Sequence, residues 1–135
     1  ALIQKIPAGK VALFLDTCKS GSAVRDLGKL ALARGFEERK AIANLAKSRG
    51  IAVCAAANDT QSAYEISELK HGIFTWCFIE AMTKRRSELL YGGEISVTRL
   101  ISVIERMTRE TAVKYLQAEQ SPIHYVFGDD FALGK

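Results

Sequence analysis

The chain has 135 residues, 48% apolar and 25% charged, with a formal net charge of +4. That is one domain's worth of ordinary globular sequence, long enough to bury a core, and no window approaches the roughly 18 apolar residues of a membrane span. Lys and Arg alternate with Glu, as in EERKAIANLAKSR. This pattern reads as solvated helix faces, so neither nucleic acid nor membrane is expected as a partner.

The N-terminus, ALIQKIPAGK, lacks the basic-then-apolar layout of a signal peptide and does not start with Met. It is expected to be processed or to be a piece of something longer. VALFLD, Val11 to Asp16, is a short apolar run that suits a strand buried on both faces of a parallel sheet. It ends abruptly in the polar loop DTCKSGS. Residues 20–35 lack a clean period, carry Gly21, Gly28 and Gly35, and read as a long loop. Helical spacing resumes from Phe36 to Ser48, with Gly50 as its stop.

IAVCAAA, Ile51 to Ala57, is a second buried-strand run ending in the polar loop NDTQS. Gly72 to Lys84 predicts an apolar helix buried on most sides. YGGE, Tyr91 to Glu94, marks a turn. Ser96 to Gln117 is the longest helical pattern, with Val97, Leu100, Ile101, Ile104, Met107 and Val113 assigned to one stripe and Ser96 as N-cap. SPIHYVFGDD predicts a third short strand, with Pro122 at its start, where a missing N–H is tolerated. The order strand, helix, strand, helix, helix, strand predicts an α/β fold with parallel neighbours and helices on the sheet faces.

In open α/β sheets, sites form beyond the carboxyl ends of the strands. The first strand delivers Asp16, Thr17, Cys18, Lys19, Ser20 and Gly21 there. The second delivers Asn58, Asp59, Thr60, Gln61 and Ser62. If the strands are neighbours, the two loops share a cleft. A thiol at a strand end, beside Lys19 and backbone N–H groups, is placed to ionise and attack a carbonyl. Cys54 lies within a strand and Cys77 within a buried helix, so both are core residues by position. The three cysteines are scattered, with no C-x-x-C pair. They speak against a disulfide framework or zinc site and for a reducing, cytoplasmic compartment.

VALFLDTCKSGS resembles the nucleophile strand of bacterial caspase-like and metacaspase-like cysteine peptidases, an apolar strand followed by D-x-C-H-S-G. The caspase Q-A-C-x-G signature is a related, shorter form. GIAVCAAANDTQSAYE is similar to that family's next core strand and substrate-pocket loop. HGIFTWCFIEAM is similar to its H-G-x-F-T helix, and PIHYVFGDDFAL to its closing strand. The resemblance spans nearly all of residues 1–135, in order.

It implies a caspase-like three-layer sandwich with a mostly parallel central sheet whose N-terminal strands are missing here. The chain would be the C-terminal portion of one peptidase domain. Cys18 aligns with the nucleophile, and Asp16 with an acid lining the primary specificity pocket; the alternative for Asp16 is an acid capping a loop N–H, and for Asp59 an Asx-turn residue. Asp59 and Asn58 fall in the pocket loop. Two carboxylates there imply cleavage of protein or peptide substrates after Arg or Lys. Glu65 aligns with an acidic position common in bacterial members.

Two departures stand out: Lys19 occupies a position that is usually His, and the catalytic His is absent. The resemblance places that His on an earlier strand, so an N-terminal portion of the same domain is the implied partner. Of the two histidines present, His71 opens the H-G-x-F-T helix and His124 lies in the last strand. The alternative is a non-catalytic caspase-like module for regulation or assembly. A flavodoxin-like or receiver-like domain shares the alternation of elements but has no reason for D-T-C-K-S-G. No cofactor is implied. Calcium regulation occurs in some metacaspases, but no loop has an EF-hand pattern. Arg25, Lys29, Arg34 and Lys47 offer self-cleavage points in or near the long loop. Without its missing neighbours the Val11–Asp16 strand is expected to expose an apolar edge.

Overall fold

The apolar run at Val11 and the one at Ile51 do become adjacent strands. The computed structural model describes residues 8–17, 50–58 and 61–134. The elements run β1 (Val11–Leu15), β2 (Ile51–Ala55), β3 (Glu65–Ile66), a 3-10 turn (Ser67–Leu69), β4 (His71–Gly72), α1 (Ile73–Lys84), α2 (Arg86–Leu89), β5 (Leu90–Tyr91), β6 (Glu94–Ile95), α3 (Val97–Leu116) and β7 (Ile123–Phe127). The loop expected at 20–35, the helix expected from Phe36 to Ser48, and Arg25, Lys29, Arg34 and Lys47 lie outside the described residues.

The main described sheet has the order β1-β2-β7. Strands β1 and β2 are parallel, with Val11 opposite Ile51 and Leu15 opposite Ala55. Strand β7 is antiparallel to β2, with Ile123 opposite Ala55 and Phe127 opposite Ile51. The described sheet is therefore mixed, with one parallel and one antiparallel pair. The cause is connectivity: α3 ends near the strands' carboxyl side, and the short link from Leu116 to Ile123 returns β7 against the direction of β2.

One sheet face carries Ala12, Phe14, Ala52, Cys54 and Val126 into a core shared with α1 and α3. Phe14 meets Phe78 of α1 edge to face, with centroids 5.0 Å apart. The other face carries Leu13, Leu15, Ile51, Val53, Ala55, Ile123 and Tyr125. The central strand β2 is buried almost throughout. All five residues of β1 are half-buried, short of burial on both faces but in keeping with the apolar edge expected of a strand without its neighbours. Among the described residues β1 is an edge strand, paired on one side only.

Helix α1 buries Ile73, Phe74, Cys77 and Ala81, a single stripe at helical spacing. Ile79 is 40% exposed, so the helix is buried on one side and not on most. Helix α3 buries Val97, Leu100, Ile101, Val103, Ile104, Met107, Thr108, Thr111 and Ala112. Full burial of each Leu or Ile contributes about 1.5–3 kcal/mol, so α3 anchors the helical layer, packing mainly against α1. Val113, assigned to this stripe by spacing, is 58% exposed. At about 100° per residue it lies roughly 160° from Val97, on the opposite side of the helix.

The YGGE turn joins β5 to β6, with Gly92 at φ 61° and Gly93 at φ 84°. Two consecutive positive φ angles suit a tight hairpin and favour glycine at both positions. Gly50 immediately precedes β2 at φ 27°, and a Cβ there would meet the Phe131 ring at 2.8 Å; the helix it was expected to stop lies outside the described residues.

Candidate functional site

The register of β1 and β2 decides where their loops emerge. Leu15 is opposite Ala55, and the Ala56 N–H donates to the Leu15 carbonyl at 2.8 Å. Asp16 and Thr17 on one strand and Ala56, Ala57 and Asn58 on the other therefore leave the same end of the sheet. Cys18, Lys19 and Asp59, the remaining residues singled out from the sequence, lie outside the described residues.

Asp16 is solvent-exposed, and its carboxylate reaches the first turn of α1. Oδ2 accepts from the Thr75 N–H at 3.2 Å and from the Thr75 hydroxyl at 2.5 Å. Helix α1 needs such a group. Its N-cap is Gly72, which has no side chain to satisfy the free N–H groups. The Ile73 N–H is taken by the Tyr64 carbonyl at 2.9 Å. Asp16 supplies the next bond from a remote strand end. Its negative charge also sits favourably at the positive end of the helix dipole.

Asn58 is half-buried at the mouth of the β2 loop. Its N–H donates to the Ser121 carbonyl at 3.1 Å, and its own carbonyl accepts from the Gln61 N–H at 3.4 Å. Two glutamines then tie this loop to the segment entering β7. The Ser121 N–H donates to Gln61 Oε1 at 2.8 Å. Gln120, 1% exposed, accepts from the Tyr64 N–H at 3.0 Å and donates to the Ala56 carbonyl at 2.9 Å. A buried amide with both ends satisfied locks the loop's path.

Sequence position alone places Gln61 in the polar loop and gives Gln120 and Thr75 no role at the site. For Thr75 a signal existed: an apolar helix opening on Gly72, with no capping side chain of its own, must borrow a cap. For Gln120 there was none, because its partners are 56 and 64 positions away.

The two histidines lie in different settings. His71 is exposed on β4, opposite Ile66. It lines a shallow groove of about 480 Å³ with Glu65, Ile66, Ser67, Lys70 and Gly72. Glu65 is opposite Gly72 in this small ladder. His124, on β7, has Nδ1 2.6 Å from Glu105 Oε1 of α3. That pair ties β7 to the helical layer.

Cys54 and Cys77 are free thiols, both fully buried. Burial pushes the Cys54 thiol far up, and the Glu105 carboxylate adds to the effect. Burial also raises Cys77, against the opposing pull of the Thr108 and Thr111 hydroxyls. Neither can supply a thiolate near neutral pH, which agrees with their reading as core residues. Among the described residues no group of three or more His, Cys, Asp or Glu could hold a metal ion. No described helix is long and apolar enough to cross a membrane.

No protein-family model, curated protein or solved structure matches the chain.

Proposed function

We propose that this chain is the nucleophile-bearing portion of a caspase-like cysteine endopeptidase, built as a three-layer sandwich, with Cys18 as nucleophile. The observation that carries the reading is the parallel, in-register pairing of β1 with β2. The chain leading into Cys18 and the loop beginning at Asn58 leave one sheet end side by side, where α/β folds build sites. The reading is further supported by the inert burial of Cys54 and Cys77, which leaves position 18 for thiol chemistry.

In this mechanism the Cys18 thiolate attacks the scissile carbonyl carbon. The tetrahedral oxyanion is held by backbone N–H groups. The C–N bond then breaks, an imidazolium gives its proton to the leaving amine, and water hydrolyses the thioester. The imidazole comes from an N-terminal portion of the same domain. His124 is engaged by Glu105, and His71 belongs to the β3–β4 ladder. Asp16, Asp59 and Asn58 line the pocket for a basic residue before the scissile bond. The setting is cytoplasmic and reducing.

The test is a peptide panel with Arg, Lys, Asp or Leu before the cleaved bond, assayed on full-length protein and on Cys18→Ala. Turnover of the Arg and Lys peptides that disappears in Cys18→Ala is the expected result. No Cys18-dependent turnover with any peptide would move the assignment to a non-catalytic caspase-like module.

A further inference from the structure

We propose that Asp16 is a positioning residue. Its carboxylate anchors the chain leading into Cys18 to the first turn of α1, and a side chain at position 72 would push that carboxylate off its anchor. The idea deepens the peptidase reading and rests on Cys18 being the nucleophile.

Three features converge on it. Helix α1 opens without a capping side chain. Asp16, 59 positions earlier, supplies the missing acceptor to both the N–H and the hydroxyl of Thr75. Gly72 has φ −57° and ψ 146°, a conformation open to any residue, so the backbone does not restrict this position. Space does: a Cβ at position 72 would lie 2.7 Å from Asp16 Oδ2 and 3.3 Å from its Cγ.

The consequence for chemistry is geometric. Cys18 follows Asp16 by two residues, so the anchor fixes the point from which the chain continues toward the sulfur. Charge-assisted bonds are directional and strong enough to set such a register. Small displacements of a nucleophile cost rate more than binding. With Oδ2 engaged by Thr75, Asp16 offers a substrate cation one carboxylate oxygen. It can therefore hold a guanidinium or an ammonium, but not a guanidinium in the two-bond fork.

The test uses full-length protein carrying Gly72→Ala, Thr75→Val or Thr75→Ser. Three quantities are measured: kcat and KM on Arg and Lys peptides, the pH profile of Cys18 alkylation by iodoacetamide read by peptide mapping, and Tm. Gly72→Ala and Thr75→Val should lower kcat about tenfold or more and shift the alkylation profile, with a rise in KM reporting the displaced Asp16 carboxylate. Thr75→Ser, which keeps the hydroxyl, should behave as wild type. Folded Gly72→Ala and Thr75→Val proteins that alkylate and turn over at wild-type rates would overturn the proposal. If Gly72→Ala does not fold, the Thr75→Val and Thr75→Ser pair decides. A wild-type protein without Cys18-dependent turnover would remove the peptidase reading, while the alkylation profiles still judge the anchor.

Discussion

Ser96 donates its hydroxyl hydrogen to Asp130 Oδ2 at 2.6 Å, and the start of α3 is built around that contact. Ser96 Oγ also accepts from the Arg99 N–H at 3.1 Å, and Asp130 Oδ1 accepts from the Thr98 N–H at 3.0 Å. The Val97 N–H is taken by the Phe131 carbonyl at 3.0 Å. The first three N–H groups of α3 are thus all satisfied, two of them from the segment after β7. Helix α1 solves the same problem with Asp16.

Burial works against ionisation of Asp130, but hydrogen bonds from Ser96, from Thr98 and from the Phe131 backbone hold its carboxyl below the usual range. Its contribution to stability is therefore present above the unfolded-state value, about 3.9, and lost as pH falls through the lower folded value. Asp130→Asn removes the negative charge at the α3 N-terminus and should reduce stability at pH 7 by about 0.3–1 kcal/mol. Wild type and variant should converge only at a pH low enough to protonate the folded Asp130, below the usual carboxylate range. Urea midpoints at both pH values measure this, and an equal gap at the two would contradict it.

Gln120→Leu keeps the side-chain volume but strips the Tyr64 N–H and the Ala56 carbonyl of their partner. A buried polar group left unsatisfied costs about 1–3 kcal/mol. The variant should lose about 2–4 kcal/mol in chemical denaturation. It should also free the Asn58 loop, seen as faster amide exchange at Tyr64.

Thiol labelling of the native protein at pH 8 should leave Cys54 and Cys77 unmodified, since burial both shields them and disfavours their thiolates. Both should react after unfolding. Peptide mapping before and after guanidinium treatment checks this; rapid native labelling of Cys54 would show that the β2 core is not closed.

On α3, Ile104 is fully buried and Val113 is 58% exposed. Ile104→Ala should cost about 2–5 kcal/mol through lost contacts and a cavity. Val113→Lys should fall within about 0.5 kcal/mol of wild type. Thermal melts of the pair test the face assignment directly.

Local pattern alone located β1, β2, α1, α3, β7 and the YGGE turn, each within a residue or a few of its observed bounds. Apolar runs, a 3.6-residue period, a Ser N-cap and paired glycines are short-range signals, written in neighbouring positions. The inert character of Cys54 and Cys77 was legible for the same reason, because each sits inside a strongly apolar element. The parallel pairing of β1 with β2 was expected from the alternation of elements. The exposure of Val113 follows from the 3.6-residue period itself, which puts it roughly 160° from Val97, whereas the antiparallel entry of β7 was decided by tertiary packing. So were the bonds of Asp16 to Thr75 and of Gln120 to Ala56 and Tyr64. These contacts span 56 to 64 positions of chain. A hydrogen bond between groups so far apart leaves no periodic trace in the sequence, and it exists only once the sheet and its helices have brought the two segments together.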